Sequence, residues 1–179
     1  YRIKTIIGTI LLTIIVTSLP IFFTIIEQRQ GTFLNDRLLE MKLKPFVEFC
    51  FMPSALASGT RKMFWWNGNV TPPKSYEKWD GLIEGLVRHW TERYGVEEVR
   101  SWNFEVWNEP NYPGFWGPRD PNRPKEEYFE LYEHTAKAVK KVDAAYRVGG
   151  PAGAGPDWVA DQLAFCAANS VPLDFISYH

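Results

Sequence analysis

At 179 residues, with 20 basic against 21 acidic side chains and a formal charge of −1, the chain carries no large field that would draw it to nucleic acid. Two cysteines, Cys50 and Cys166, and three scattered histidines offer neither metal-ligand spacing nor a disulfide framework, so no metal and no cofactor is expected. Eight Trp, eight Tyr and twelve Phe are many for this length, and aromatic faces serve binding sites as well as cores.

Residues 5–26 form a run of 22 residues without a charge, preceded by Arg2 and Lys4 and followed by Glu27 and Arg29. A helix of that length crosses a bilayer core of about 30 Å at about 1.5 Å per residue. Its basic flank would stay in the cytoplasm. Residues 1–31 are therefore expected to be a hydrophobic N-terminal segment that associates with a membrane through residues 5–26, anchoring or exporting the chain. A pair of buried strands, or translated sequence that does not belong to the fold, is the other reading, under which the protein would be cytoplasmic. Pro20 interrupts the run and no small-x-small site follows it, which disfavours a cleaved signal.

After Gly31 strands and helices alternate. Residues 33–42 read as the end of a helix, and residues 45–52 as a buried strand with Val47, Phe49 and Phe51 on one face and Glu48 on the other. Residues 55–74 form a loop long enough to suggest a site, since structureless loops above about 12 residues are uncommon in compact domains. Ser75 opens a helix whose apolar stripe runs through Trp79, Ile83, Leu86 and Trp90, and Gly95 ends it. A strand over 99–106 follows, then a turn at 107–111. Pro124 starts the next helix, residues 146–150 a strand, Asp157 caps a helix, and residues 173–178 are the last strand. The glycine run 149–155 matches no phosphate-binding pattern and reads as a close-packed turn. The alternation predicts an α/β fold, which an open doubly wound sheet and a closed barrel share.

The pentapeptide Trp107-Asn108-Glu109-Pro110-Asn111 places a carboxylate where a buried strand ends, beside an amide and an aromatic ring. That is the layout of a sugar-hydrolysing site at the mouth of a (β/α) barrel. Trp107 offers a flat face for a pyranose, Asn108 a hydrogen bond to a hydroxyl, and Pro110 stiffens the turn. A strand-to-loop turn with a solvated Glu is the alternative. Glu48 and Glu105 lie about four residues before their expected strand ends, roughly 13 Å below the mouth at ~3.3 Å per residue, and read as interior polar groups that need hydrogen-bonded partners.

The stretches Lys44-Pro45-Phe46-Val47-Glu48-Phe49, Gly68-Asn69-Val70-Thr71-Pro72-Pro73-Lys74, Phe104-Glu105-Val106-Trp107-Asn108-Glu109-Pro110-Asn111, Val148-Gly149-Gly150-Pro151-Ala152 and Asp174-Phe175-Ile176-Ser177-Tyr178-His179 resemble, in order and spacing, family 39 of the glycoside hydrolases, especially its bacterial β-xylosidase branch. The family also holds α-L-iduronidase. The resemblance implies a TIM (β/α)8 barrel, of which residues 32–179 would supply about strands three to six. A whole barrel needs roughly 250 residues, so a fragment is expected. It further implies a retaining hydrolase acting on β-xylosidic bonds of short xylo-oligosaccharides. Glu109 would be the general acid/base, Asn108 a ligand of the substrate 2-hydroxyl, His179 a contact to the same ring, and Phe64 and Trp65 an aromatic wall. The nucleophilic carboxylate would fall beyond His179, leaving this chain inactive alone. An iduronidase-like hydrolase would need a basic cluster for its acidic sugar, and a non-catalytic carbohydrate-binding barrel remnant is the non-enzyme alternative. Oligomeric state is left open.

Overall fold

The computed structural model describes residues 22–24 and 28–179, with side chains from residue 34 onward. Five strands, β1 (Phe22–Thr24), β2 (Phe46–Phe49), β5 (Asn103–Val106), β6 (Arg147–Gly153) and β7 (Phe175–Tyr178), lie side by side in that order. Every neighbouring pair is parallel. Helices make the crossovers: α1 (Gln28–Glu40), α2 (Tyr76–Tyr94) with the short α3 (Val96–Arg100), α4 (Pro124–Val142) and α5 (Val159–Asn169). This is the α/β architecture that the alternation predicts. A two-stranded antiparallel ribbon, β3 (Lys62–Met63) and β4 (Gly68–Asn69), interrupts the long loop between β2 and α2.

Local chemistry sets most helix ends. The Ser75 hydroxyl accepts the Lys78 N–H at 3.3 Å at the start of α2. Gly95, at φ 88°, turns the chain out of α2 where a Cβ would be strained. Pro124 opens α4, where its missing N–H costs nothing. The core lies between sheet and helices: Phe49 stacks on Phe104 with ring centres 5.7 Å apart, and Phe104 on Trp90 of α2 at 6.1 Å. Helices α2 and α4 are pinned together by Trp79 Nε1, which donates to Thr135 Oγ1 at 2.9 Å.

Several expectations change. The sheet has five parallel strands, one more than the four expected, because Phe22–Thr24 pairs with Phe46–Glu48. Its three residues, Phe-Phe-Thr, carry no charge and so merged with the uncharged run read as a bilayer span. Among the described residues no helix is long and apolar enough to cross a membrane. The rest of the expected span, 5–21 and 25–26, lies outside the described residues. Helix α1 runs unbroken through residues 31 and 32, where the domain boundary was expected. Residues 96–100 are helical, which shortens the expected 99–106 strand to Asn103–Val106. The start of α5 has Trp158 in the capping position and no side-chain cap, so Asp157 does not serve.

Candidate active site

The turn after β5 is built from unusual backbone. Trp107 and Glu109 both have positive φ, 70° and 46°, as does Ala152 near the end of β6, at 51°. Left-handed backbone at non-glycine residues costs about 1–3 kcal/mol each and persists where the surroundings enforce it. Here the enforcing bonds are visible. The Glu109 N–H donates to the Ala152 carbonyl at 2.9 Å, and the His179 N–H to the Gly153 carbonyl at 2.7 Å. The carboxyl end of β6 thus holds the two residues that follow β5 and β7. Asn111 Oδ1 accepts the Ala154 N–H at 2.8 Å and fixes the far side of the turn.

These bonds bring Glu109 and His179 together. His179 Nδ1 lies 2.7 Å from Glu109 Oε1, with the two side chains 41% and 22% exposed, so both face the mouth without being immersed in it. At this distance one hydrogen bond joins the ring nitrogen and the carboxyl oxygen, donated either by a ring N–H to the carboxylate or by the carboxylic acid to the ring nitrogen. Asn108 is half-buried in the same turn.

The aromatic residues divide into two roles. Trp107 is fully buried, in edge-to-face contact with Phe51 and Trp116 with ring centres 5.7 and 5.2 Å away, and its Nε1 donates to the Phe115 carbonyl at 2.7 Å. It cannot offer the sugar face expected of it; it anchors the turn from below. Phe64 and Trp65 are 40% and 77% exposed. Phe64 stacks on Trp66 at 4.4 Å and on Phe115 at 5.2 Å, so the ribbon loop is seated on the loop that follows Glu109. Arg61 adds a second fastening by donating to the carbonyls of Pro113 and Trp116. Phe115 and Arg61 were not singled out in the sequence, and Asn111 only as the last residue of the motif. Asn111 alone carries a signal, as a turn-forming residue inside the motif.

Beneath the mouth lie Glu48 and Glu105, 5% and 1% exposed. Each stands one residue before the end of its strand, nearer the site than the sequence count placed it. Burial pushes Glu105 above the usual carboxylate range, opposed by the Ser177 hydroxyl and the charge of His179. Burial raises Glu48 further, and repulsion by Glu105 adds to it. Glu48 Oε1 and both Glu105 oxygens make no well-formed hydrogen bond among the described residues, although the Ser177 hydroxyl lies near Glu105 and the Cys50 thiol near Glu48.

Acids raised in this way bind protons in the folded chain that the unfolded chain releases, so their contribution to stability is complete below pH ~4.3 and is lost as pH rises through their folded titration. Asp36 and Asp143, each held low by an arginine and a hydrogen bond, act with opposite sign and only below the ordinary carboxylate range. The urea midpoint of the full-length protein should therefore fall between pH 5 and 8, and fall less in Glu105→Gln. An equal fall in both proteins would contradict the assignment.

The glycine run behaves as a packing device. A Cβ at Gly149 would collide with the Phe175 carbonyl, and one at Gly153 would meet the Gly155 carbonyl at 2.7 Å. Its backbone serves Glu109 and His179.

The sequence profile of Glycosyl hydrolases family 39 matches residues 22–179, beginning at the first residue of β1. A β-xylosidase of Geobacillus stearothermophilus is 57% identical over 146 residues, which are 80% of this chain and 28% of that enzyme. A β-xylosidase of Caldicellulosiruptor saccharolyticus is 56% identical over 144 residues, 80% of this chain and 29% of its own. The crystal structure of a monomeric β-xylosidase from Caulobacter crescentus CB15, 44% identical, matches with a TM-score of 0.78 over 86% of this chain and 30% of its own. The chain spans less than a third of the length of these relatives.

Proposed function

Because the chain belongs to glycosyl hydrolases family 39, we propose that it forms the acid/base side of a retaining β-xylosidase that releases xylose from short xylo-oligosaccharides. Its five parallel strands correspond on this reading to strands two to six of a (β/α)8 barrel, and residues 32–179 carry the glycosidase site. The observation that supports it best is the 2.7 Å contact of Glu109 with His179 at the carboxyl ends of β5 and β7, the edge where barrel enzymes collect their reacting groups.

Glu109 in its acid form protonates the leaving oxygen, and as a carboxylate it later draws a proton from the attacking water. His179 holds Glu109 Oε1, which leaves the other oxygen for the substrate. Asn108 bonds the 2-hydroxyl, a contact that strengthens as the ring gains oxocarbenium character. Phe64 and Trp65 flank the substrate, with the exposed face of Trp65 open to the sugar on the leaving side. A retaining enzyme needs a second carboxylate ~5–5.5 Å away. Glu48 and Glu105 are buried below the mouth, so this reading takes the nucleophile from outside the chain, and the 179 residues alone do not complete the reaction.

The role of Asn108 has its own test. In the full-length enzyme, removing the substrate 2-hydroxyl should cost about tenfold to a hundredfold in kcat/KM, and the same removal should cost little once Asn108→Ala has taken away its partner. Equal penalties in both enzymes would remove Asn108 from the site.

A further inference from the structure

One side chain from the helix layer grips the strand that carries Glu109. Tyr128 of α4 is fully buried, and its hydroxyl donates to the Val106 carbonyl at 3.0 Å. Val106 is the last residue of β5, and the left-handed backbone of Trp107 and Glu109 follows at once. The ladder between β5 and β6 pairs residues only as far as Glu105 with Gly149. Two residues further along β6, Pro151 has no N–H to donate, and the phenol serves the carbonyl where the ladder runs out.

The hydroxyl reaches that carbonyl because residue 150 has no side chain. A Cβ on Gly150 would lie 2.9 Å from the Tyr128 oxygen, but in ordinary contact, at 3.6 Å, with the Val106 carbonyl oxygen and the Gln162 amide nitrogen. The crowded atom is the end of a rigid ring that packs against Trp116 and Trp158, with ring centres 6.2 and 6.0 Å away, so it cannot swing aside freely. Trp116 in turn meets Trp107 edge to face. Tyr128 therefore reaches the turn by two routes, through the Val106 carbonyl and through Trp116 against Trp107. Burial holds the phenol well above its ordinary titration range, and the hydroxyl stays a donor.

We propose that Tyr128 is a positioning residue for the acid/base: its bond to Val106 fixes where the turn begins, and Gly150 is needed to let the hydroxyl through. The inference rests on the reading of Glu109 as acid/base. The Glu109 N–H is tied to the Ala152 carbonyl at one end of the turn, and the Val106 carbonyl is the fixed point at the other. With both ends held, the left-handed backbone at Trp107 keeps its conformation and the Glu109 carboxyl keeps its aim. Freeing the first end lets the carboxyl drift, and small misplacements of a reacting group cost rate steeply. Proton donation to a poor leaving group suffers, whereas sugar binding and the departure of an activated phenolate do not use that proton.

Tyr128→Phe in the full-length enzyme keeps the ring and removes the bond. Hydrogen exchange, which needs no turnover, should be about tenfold faster over residues 107–111 and unchanged over β2. On xylobiose kcat/KM should fall about tenfold, while kcat/KM on the most activated aryl xyloside and the inhibition constant of xylose stay within about twofold. A purely stabilising Tyr128 would lower the denaturant midpoint and spare both substrates alike. Gly150→Ala should reproduce the loss on xylobiose, and adding it to Tyr128→Phe should make nothing worse, since phenylalanine lacks the oxygen that the new Cβ would meet. Unchanged exchange over 107–111, equal effects on the two substrates, or additive losses in the double variant would overturn the proposal. Glu109→Ala assayed alongside separates the two levels of the argument. If it shows no dependence on the leaving group, the acid/base reading falls and takes the role of Tyr128 with it; if it shows that dependence and Tyr128→Phe does not, only the role of Tyr128 falls.

Discussion

Glu109→Ala in the full-length enzyme should slow xylobiose hydrolysis by about a hundredfold to ten-thousandfold, the range that a positioned general acid contributes. An aryl xyloside whose phenolate departs without help should lose far less in the step that forms the glycosyl-enzyme. The asymmetry follows from the geometry: Glu109 stands at the mouth with one oxygen against His179, placed to move a proton, and proton transfer matters in proportion to the basicity of the leaving group. Glu109→Gln should behave alike, since the amide keeps the shape and has no proton to give. A series of aryl xylosides graded by leaving-group acidity checks this directly. Losses of equal size on xylobiose and on the best aryl substrate would mean that Glu109 does not act as the acid.

The largest effect on stability is expected at Trp107. Trp107→Ala removes a fully buried ring, and large-to-small changes of this kind cost about 3–5 kcal/mol. It also strands the Phe115 carbonyl, which now accepts the indole N–H. Trp107→Phe keeps most of the ring and loses only that bond, so it should cost roughly 1–3 kcal/mol. Because the ring lies beneath the turn, Trp107→Phe should leave KM for xylosides nearly unchanged. Denaturant midpoints and KM values for both variants separate the two roles. A raised KM with unchanged stability would restore Trp107 as a sugar platform.

The sequence signals that proved readable are those with a local cause. Ser75, Gly95 and Pro124 mark helix ends through hydrogen bonding and backbone conformation, and the period of Trp79, Ile83, Leu86 and Trp90 marks the buried face of α2. Signals that depend on the neighbours of an element were lost. Nothing in the uncharged sequence Phe22–Thr24 tells a strand of a parallel sheet from a stretch of bilayer helix, because both select apolar side chains. Whether Trp107 faces sugar or core depends on Phe51 and Trp116, which arrive from other segments. The motif located Glu109, and family resemblance supplied His179. The device that joins them, the carbonyls of Ala152 and Gly153, is main chain and leaves no side-chain signature beyond the need for small residues. Glu105 was placed too deep because its depth was counted to Glu109, whereas strand β5 ends at Val106, the end that the 99–106 reading already gave.

The most direct test of Glu109 as acid/base is chemical rescue. In the full-length Glu109→Ala enzyme the space left by the carboxylate lies on the face of the sugar from which water is normally delivered, opposite the covalent bond to the nucleophile. Azide carries a charge that Glu109 would repel and needs no base to activate it. Added to the variant with an activated aryl xyloside, it should accelerate turnover and yield xylosyl azide in the β configuration, identified by nuclear magnetic resonance. No acceleration by azide, or an α-configured product, would contradict the placement of Glu109 as the acid/base of a retaining xylosidase.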